Sequence, residues 1–414
     1  MLTIPGFERL ADSGVAYLDY AGAALYTDAQ VRAHAERLAR GVFGNPHSEH
    51  TASRDSTRII EAARRRVLAF FDAGEGYEVI FTANASAAIR LVAESFPFDD
   101  RQALVLTADN HNSVNGVREY ARRAGASVVT LPLGADLRLD EAEARLAREP
   151  GPGLFAFPAQ SNFSGVQHPL SLVRAARQLG FRVLLDAAAF APSHRLSLRA
   201  APADFVSLSF YKMFGYPTGV GALIARREAL AALRRPWFAG GTVSFVSVDR
   251  QLHELRAGHA GFEDGTANFL DIAALEDGFD LLDRVGIDAI TAHTRTLAGD
   301  LLARLRSLRR AGGAPLARVY GPDDTANRGA MVAFNLVDRD GVIVPCQRVE
   351  RRADAAAVHV RGGCFCNPGA AEAALGLDGV RLAERGAGAV RASLGLASTP
   401  GDVERLIDVL QSFA

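Results

Sequence analysis

The chain has 414 residues, enough for two or three domains and a large buried core. Hydrophobic residues make up 49% of it, charged residues 22%, and the formal net charge is −1, so nothing draws it electrostatically to nucleic acid or an anionic membrane. No run reaches the roughly 18 apolar residues of a membrane span, and the opening "MLTIPGFERLADSG" has no basic-then-apolar leader pattern, so a cytoplasmic protein acting on a small metabolite is expected.

From about residue 78 to 225, short apolar runs alternate with amphipathic segments. "YEVIFT" precedes the helix-like "SAAIRLVAESF", and "ALVLTAD" precedes "SVNGVREYARRAG". "GLFAFPA" precedes "PLSLVRAARQLG", in which Leu172, Ala175, Ala176 and Leu179 recur at helical spacing and Gly180 supplies a left-handed cap. "FRVLLDAA", "ADFVSLSF" and the strand-then-helix "VGALIARREALAALRR" follow. Runs of strand length that are apolar on both faces predict an α/β fold, with a mostly parallel central sheet, helices on both faces and ligands at the strands' carboxyl ends. Helices near 271–287 and 290–309 lead into a smaller α+β C-terminal domain with strands "MVAFNLVD" and "AVHVRG" and a last helix in "PGDVERLIDVLQSF". The expected domains are a large one at 15–275 and a small one at 276–414, with residues 1–14 packing on the small one.

Lys212, in "SFYKMFGYPTG", is the only lysine among 46 basic Lys and Arg residues. A guanidinium stays protonated, whereas a desolvated amine can lose its proton and form a Schiff base, so Lys212 is a candidate for covalent chemistry. Asp186 ends the neighbouring run "FRVLLD", and a carboxylate and an amine at adjacent strand ends suggest pyridoxal phosphate. Ser86, where a strand gives way to a helix in "TANASAAIRLVAE", offers a hydroxyl at a helix N-terminus that suits a phosphate. His111 follows another strand, where an imidazole can lie on a ring or move protons.

The three cysteines are Cys346, Cys364 and Cys366, too few and too clustered for a disulfide framework. Cys364 and Cys366 fall among glycines in "VHVRGGCFCNPGAAE", which predicts a mobile loop able to carry a thiolate to a substrate. Inert packing, a regulatory disulfide and a metal site with His359 are the competing readings, the last disfavoured by the spacing. Arg391, in "VRASLG", could fork onto a substrate carboxylate. No phosphate-loop or nucleophile-elbow motif is present.

The blocks "YLDYAGAALY", "GNPHS", "LLDAAAF", "ADFVSLSFYKMFGYPTGVGAL", "FEDGTANFLDIAAL" and "RGGCFCNPGA" together resemble the class V, fold type I pyridoxal phosphate enzymes, and among them the desulfurase domain of molybdenum cofactor sulfurases. The resemblance implies that Lys212 is the Schiff-base lysine, Asp186 the pyridinium partner, His111 the ring-stacking histidine and Asn162 the asparagine near the ring oxygen and substrate carboxylate. It implies phosphate contacts from Ser86, the Ala87 N–H, Ser209 and Tyr211, with Thr266 reaching over from a second subunit of a homodimer. It also makes Arg391 the substrate-carboxylate arginine and Cys366 the sulfur-accepting cysteine, with no metal. The implied reaction turns L-cysteine into L-alanine and leaves a persulfide on Cys366 for an acceptor protein or small molecule. A C–S lyase, transaminase or epimerase acting on a cysteine-derived or other amino acid is the alternative, and a sulfur-carrier scaffold without turnover is a third. The chain departs from the pattern at Ala189, where many desulfurases have glutamine, and at Tyr20, where sulfurases usually have histidine. With one desulfurase-sized unit ending at Ala414, the expectation is a chain without the sulfurases' extra C-terminal domain that binds the molybdenum cofactor, which leaves the acceptor open.

Overall fold

The computed structural model describes residues 4–139, 141–149, 151–377 and 387–414. Its main sheet has seven strands, in the spatial order Tyr77–Thr82, Gly221–Arg226, Phe205–Ser209, Arg182–Asp186, Gly153–Pro158, Ala103–Thr107 and Ser127–Leu131. Gly221–Arg226 runs antiparallel to both neighbours, and every other pair is parallel. The expected mostly parallel sheet is therefore present, with one reversed strand inside it.

Alternation along the strands explains the two helical layers. Val79, Phe81, Val105, Phe155, Phe157, Val183 and Leu185 face one side, against Ile60 and Val67 of the helix Thr51–Phe70, Leu172 and Ala176 of Ser171–Gln178, and Phe279 of Leu275–Val285. Ile80, Leu104, Leu106, Leu154, Ala156 and Leu184 face the other, against Ala88, Ile89 and Val92 of Ala85–Ser95 and Ala121 of Val117–Arg123. Successive side chains point to opposite faces, so a strand apolar throughout must be covered on both. Each large side chain buried in this way contributes about 1.5–3 kcal/mol.

A second core surrounds a four-stranded antiparallel sheet in the order Ala317–Tyr320, Met331–Leu336, Ala389–Ser393, Arg361–Gly363. The helices Ile287–Ser307, Cys346–Asp354 and Pro400–Gln411 cover it, the last capped by a reciprocal Thr399–Asp402 box. The run "AVHVRG" is two pieces, because Val358–His359 pairs with Ala16–Tyr17 while Arg361–Gly363 pairs with Ala389–Ser393. Residues ahead of Ala16 touch both cores: Phe7 lies in the main one, and the Gly14 carbonyl accepts from Arg405. The helix Leu275–Val285 buries Leu275, Phe279, Leu281 and Leu282 on the main-sheet side. No helix among the described residues is long and apolar enough to cross a membrane.

Candidate active site

The carboxyl ends of the main strands converge on a cleft lined by Ser86, His111, Asn162, Asp186, Ser209, Tyr211 and Lys212. Asp186 is the last residue of its strand, and Lys212 sits one strand over in the short helix Phe210–Phe214. Burial pushes the Lys212 ammonium below its ordinary value; Arg391 and Arg361 add to this, while Asp186 and the Cys366 thiol pull the other way. Its Nζ makes no hydrogen bond or ion pair among the described residues, so nothing ties up the amine. The Asp186 Oδ1 accepts from Ser207 Oγ and the Ala188 N–H, each at 3.0 Å, and Oδ2 has no hydrogen bond among the described residues.

The helix Ala85–Ser95 opens onto the same cleft. Asn84 caps it by accepting from the Ala87 N–H at 3.0 Å, and the Ala85 N–H donates to Ser209 Oγ at 2.9 Å. Ser86 Oγ lies 2.5 Å from Ser113 Oγ, and the Ser86 N–H has no partner among the described residues. A Cβ on Gly221 would lie 2.5 Å from the Asn84 Cα, so glycine there is what lets this helix start so close to the sheet. The Ala87 N–H, expected to face a phosphate, is instead taken by the cap. Ala87 lines a separate groove together with Thr266, whose hydroxyl accepts from Asn45 Nδ2 at 3.0 Å. Within one chain Thr266 is not part of the Lys212 cleft.

His111 Nδ1 accepts from the Ser113 N–H at 3.1 Å, which makes Nε2 the protonated nitrogen of the neutral ring. Burial, opposed by Asp186 and helped by Lys212, lowers its pKa and favours that neutral form. Ala189 lines this cleft and also a second, mostly apolar cavity on the other side of Lys212, which Tyr20, Leu25, Met213, Ile290 and Leu396 enclose. The two departures from the family pattern thus meet in one place.

Arg391 comes from the small-domain sheet and is 2% exposed. It donates to the Asn162 carbonyl at 2.6 Å and to Asp19 at 3.2 Å, and its guanidinium lies 4.5 Å above the Phe365 ring. Burial, only partly offset by Asp19, pulls it down to about 10. Nε has no partner among the described residues. Arg361 clamps Asp19 from the other side, at 2.6 Å.

Cys366 is exposed, close enough to Lys212 and Arg391 to be felt by both, whereas Cys364 is half-buried against a small hydrophobic cluster that includes Phe163 and Tyr320. The mobile loop expected here is instead docked. The Cys366 carbonyl accepts from the Asn112 N–H at 2.7 Å, and the Phe365 carbonyl accepts from Asn162 Nδ2 at 2.6 Å. Glycines around a turn signal flexibility only when nothing holds the turn, and here the main sheet's loops do. Sequence reasoning missed Asn84, Ser113, Ser207, Asp19 and Asn367. Of these Asn84 and Asn367 had a readable signal, each as a capping residue before a helical run, the second followed by a proline at the first helical position.

The residues fit pyridoxal phosphate: an unpaired desolvated amine, a carboxylate with one oxygen unused across the cleft, and an open N–H with two hydroxyls at a helix N-terminus. Residues 16–406 match the aminotransferase class-V family model. The chain is 37% identical over 466 residues to a molybdenum cofactor sulfurase of Oryza sativa subsp. japonica, covering 98% of this chain and 56% of that protein. It is likewise 37% identical over 444 residues to the molybdenum cofactor sulfurase of Homo sapiens, covering 97% and 50% respectively. The chain thus spans about half the length of the curated relatives it matches. The cysteine desulfurase of Thermococcus onnurineus NA1 superposes with a TM-score of 0.86 at 25% identity, covering 100% of this chain and 98% of that one. On sheet, site and family match together, the chain belongs to the aminotransferase class-V family.

Proposed function

We propose that the protein is a pyridoxal phosphate-dependent cysteine desulfurase acting on L-cysteine. The observation that carries this reading is that the Cys366 turn and the Arg391 guanidinium both dock on Asn162, which lines the same cleft as the desolvated amine of Lys212. When bound, the cofactor supplies an aldehyde for the Lys212 amine and a ring that withdraws electrons from the substrate α-carbon. Asp186, with Oδ2 unused, would hold the ring nitrogen's proton, and the Ser86 N–H, Ser86 Oγ, Ser209 and Tyr211 would hold the phosphate. Arg391 forks onto the substrate carboxylate from a position fixed by Asp19, Asn162 and Phe365. Lys212 Nζ, whose lowered pKa favours the neutral amine, takes the α-proton. Cys366 Sγ, as thiolate, attacks the substrate sulfur: an S–S bond forms as the Cβ–S bond breaks, the electron pair stays with carbon, Cβ takes a proton from solvent, and Lys212 returns its proton to the α-carbon to give alanine. The persulfide then passes to an acceptor.

Incubation with L-cysteine should give alanine in step with a +32 Da species on Cys366. Pyruvate and ammonia in place of alanine would instead point to a β-lyase, a reading the apolar cavity beside Lys212 favours, since Leu25, Met213 and Ile290 there suit an S-alkyl substituent. Arg391→Lys should raise KM for L-cysteine about 10–100-fold with kcat changed far less, because a point charge cannot replace the planar fork. Steady-state kinetics with an unchanged KM would remove Arg391 from substrate binding.

Two copies working together is part of the same proposal. The hairpin Val243–Ser247 and Leu252–Leu255 exposes Phe245, Val248 and Leu252 at 55%, 86% and 56%, an apolar surface that a second copy would cover. Thr266 would then complete the partner's phosphate site. The balanced charge and the absence of a spanning helix among the described residues support a cytoplasmic setting.

A further inference from the structure

Asp109 follows the strand Ala103–Thr107 and is fully buried, yet no lysine or arginine meets it among the described residues. Its carboxylate is held by donors from two segments, the turn 159–168 and the stretch that follows Cys366. Ser161 Oγ and Asn367 Nδ2 reach Oδ1 at 2.8 and 2.6 Å, and His168 Nε2 reaches Oδ2 at 2.8 Å. Asn367 is the residue directly after Cys366. Its amide also donates to Asn162 Oδ1 at 2.9 Å, and its own oxygen caps the helix Pro368–Leu375 through the Ala370 N–H at 3.2 Å.

Two features show how much this anchor has to hold. Phe365 and Cys366 stand at φ of 56° and 57°, a left-handed conformation that residues with a Cβ seldom adopt and that two in succession keep only where the surroundings impose it. A Cβ on Gly369 would lie 2.2 Å from the Ala108 carbonyl oxygen, so the chain beyond the thiol rests directly on the strand end that bears Asp109. The Asn112 N–H to Cys366 carbonyl bond of 2.7 Å closes the other side.

We propose that Asp109 is the positioning residue for sulfur transfer. Through Asn367 it fixes the backbone of Cys366 and so aims the thiolate at the substrate sulfur, without touching substrate itself. This rests on the reading of Cys366 as the sulfur acceptor. Asp109 and Asn367 then act as one unit, and removing either has the same consequence as removing both.

The test uses the holoenzyme and the variants Asp109→Ala, Asn367→Ala and the double variant. Asn367→Ala leaves Asp109 with Ser161 and His168, so it keeps the question answerable if Asp109→Ala does not fold. In single-turnover experiments the L-cysteine-induced change in the cofactor's visible spectrum should stay within about twofold of wild type, while persulfide formation on Cys366 slows about 10–100-fold in each single variant and no further in the double. Without cofactor, amide hydrogen exchange at Asn112 and across residues 363–367 should speed up at least about tenfold in the same variants. Wild-type transfer rates, unchanged exchange, or losses that multiply in the double variant would each overturn the proposal. A wild-type protein that forms no persulfide would instead defeat the reading of Cys366, while the exchange data would still report whether Asp109 tethers the loop.

Discussion

Replacing Lys212 by alanine should lower alanine release from L-cysteine by about 10³-fold or more and abolish the near-visible absorbance of covalently held cofactor. The residue has two roles at one nitrogen, attachment of the aldehyde and removal of the α-proton, and both require an amine that gives up its proton. Lys212→Arg should be as inactive as Lys212→Ala, because a guanidinium does neither at neutral pH. Activity of Lys212→Arg within tenfold of wild type would sink the assignment. The same residue has a cost in stability. Its pKa in the fold lies below its ordinary 10.5, chiefly from burial, so the unfolded chain binds the proton more tightly than the folded one. Lys212→Met should therefore raise the Tm of the cofactor-free protein. The gain is full below the amine's pKa in the fold and fades as pH rises toward 10.5, which a thermal-melt series between pH 6 and 10.5 would read out directly.

Cys366→Ser should bind L-cysteine and change the cofactor spectrum, yet release alanine at least about 100-fold more slowly and carry no persulfide. A hydroxyl of similar size preserves the docked loop but is a far weaker nucleophile toward sulfur. Cys364→Ser is the control, expected within about threefold of wild type, because Cys364 is half-buried against the small hydrophobic cluster that includes Phe163, whereas Cys366 is exposed. Cys346 is buried and its thiol is pushed up by burial, so it should stay unmodified. Mass spectrometric mapping decides the matter: persulfide on Cys364, with Cys366→Ser turning over normally, would reverse the two roles.

Much of the main sheet was legible because its strands are short, apolar on both faces and separated by amphipathic segments, a pattern that needs no partner to be recognised. The edge strand Ser127–Leu131 escaped notice, since only Leu131 in it is buried and it lacks the same apolar signature. The hairpin Val243–Ser247 and Leu252–Leu255 was equally silent, because its apolar residues point outward, against the usual alternation toward a core. "SVNGVREYARRAG" read as one segment but is two helices, Asn112–Asn115 and Val117–Arg123, meeting at Gly116. The first is capped by His111, which accepts from the Ser113 N–H.

The candidate site divides along similar lines. Lys212 and Asp186 stand out because their residue types and strand-end positions are local properties: one is the only amine side chain in the sequence, the other closes an apolar run. Cys366 stands out for its place among glycines, though that same setting suggested mobility where the structure shows a docked turn. The support for these groups is non-local. Asp19 lies 372 positions from Arg391, and Asp109 lies 258 positions from Asn367, yet each pair shares a hydrogen bond. By itself the sequence determined the chemistry available and the layered sheet that carries it, since residue type and hydrophobic period are written locally. Only the tertiary structure decided which oxygen holds which donor, that the Ala87 N–H is already capped by Asn84, and that the thiol sits on an anchored turn, because these depend on where distant segments meet once the core has closed.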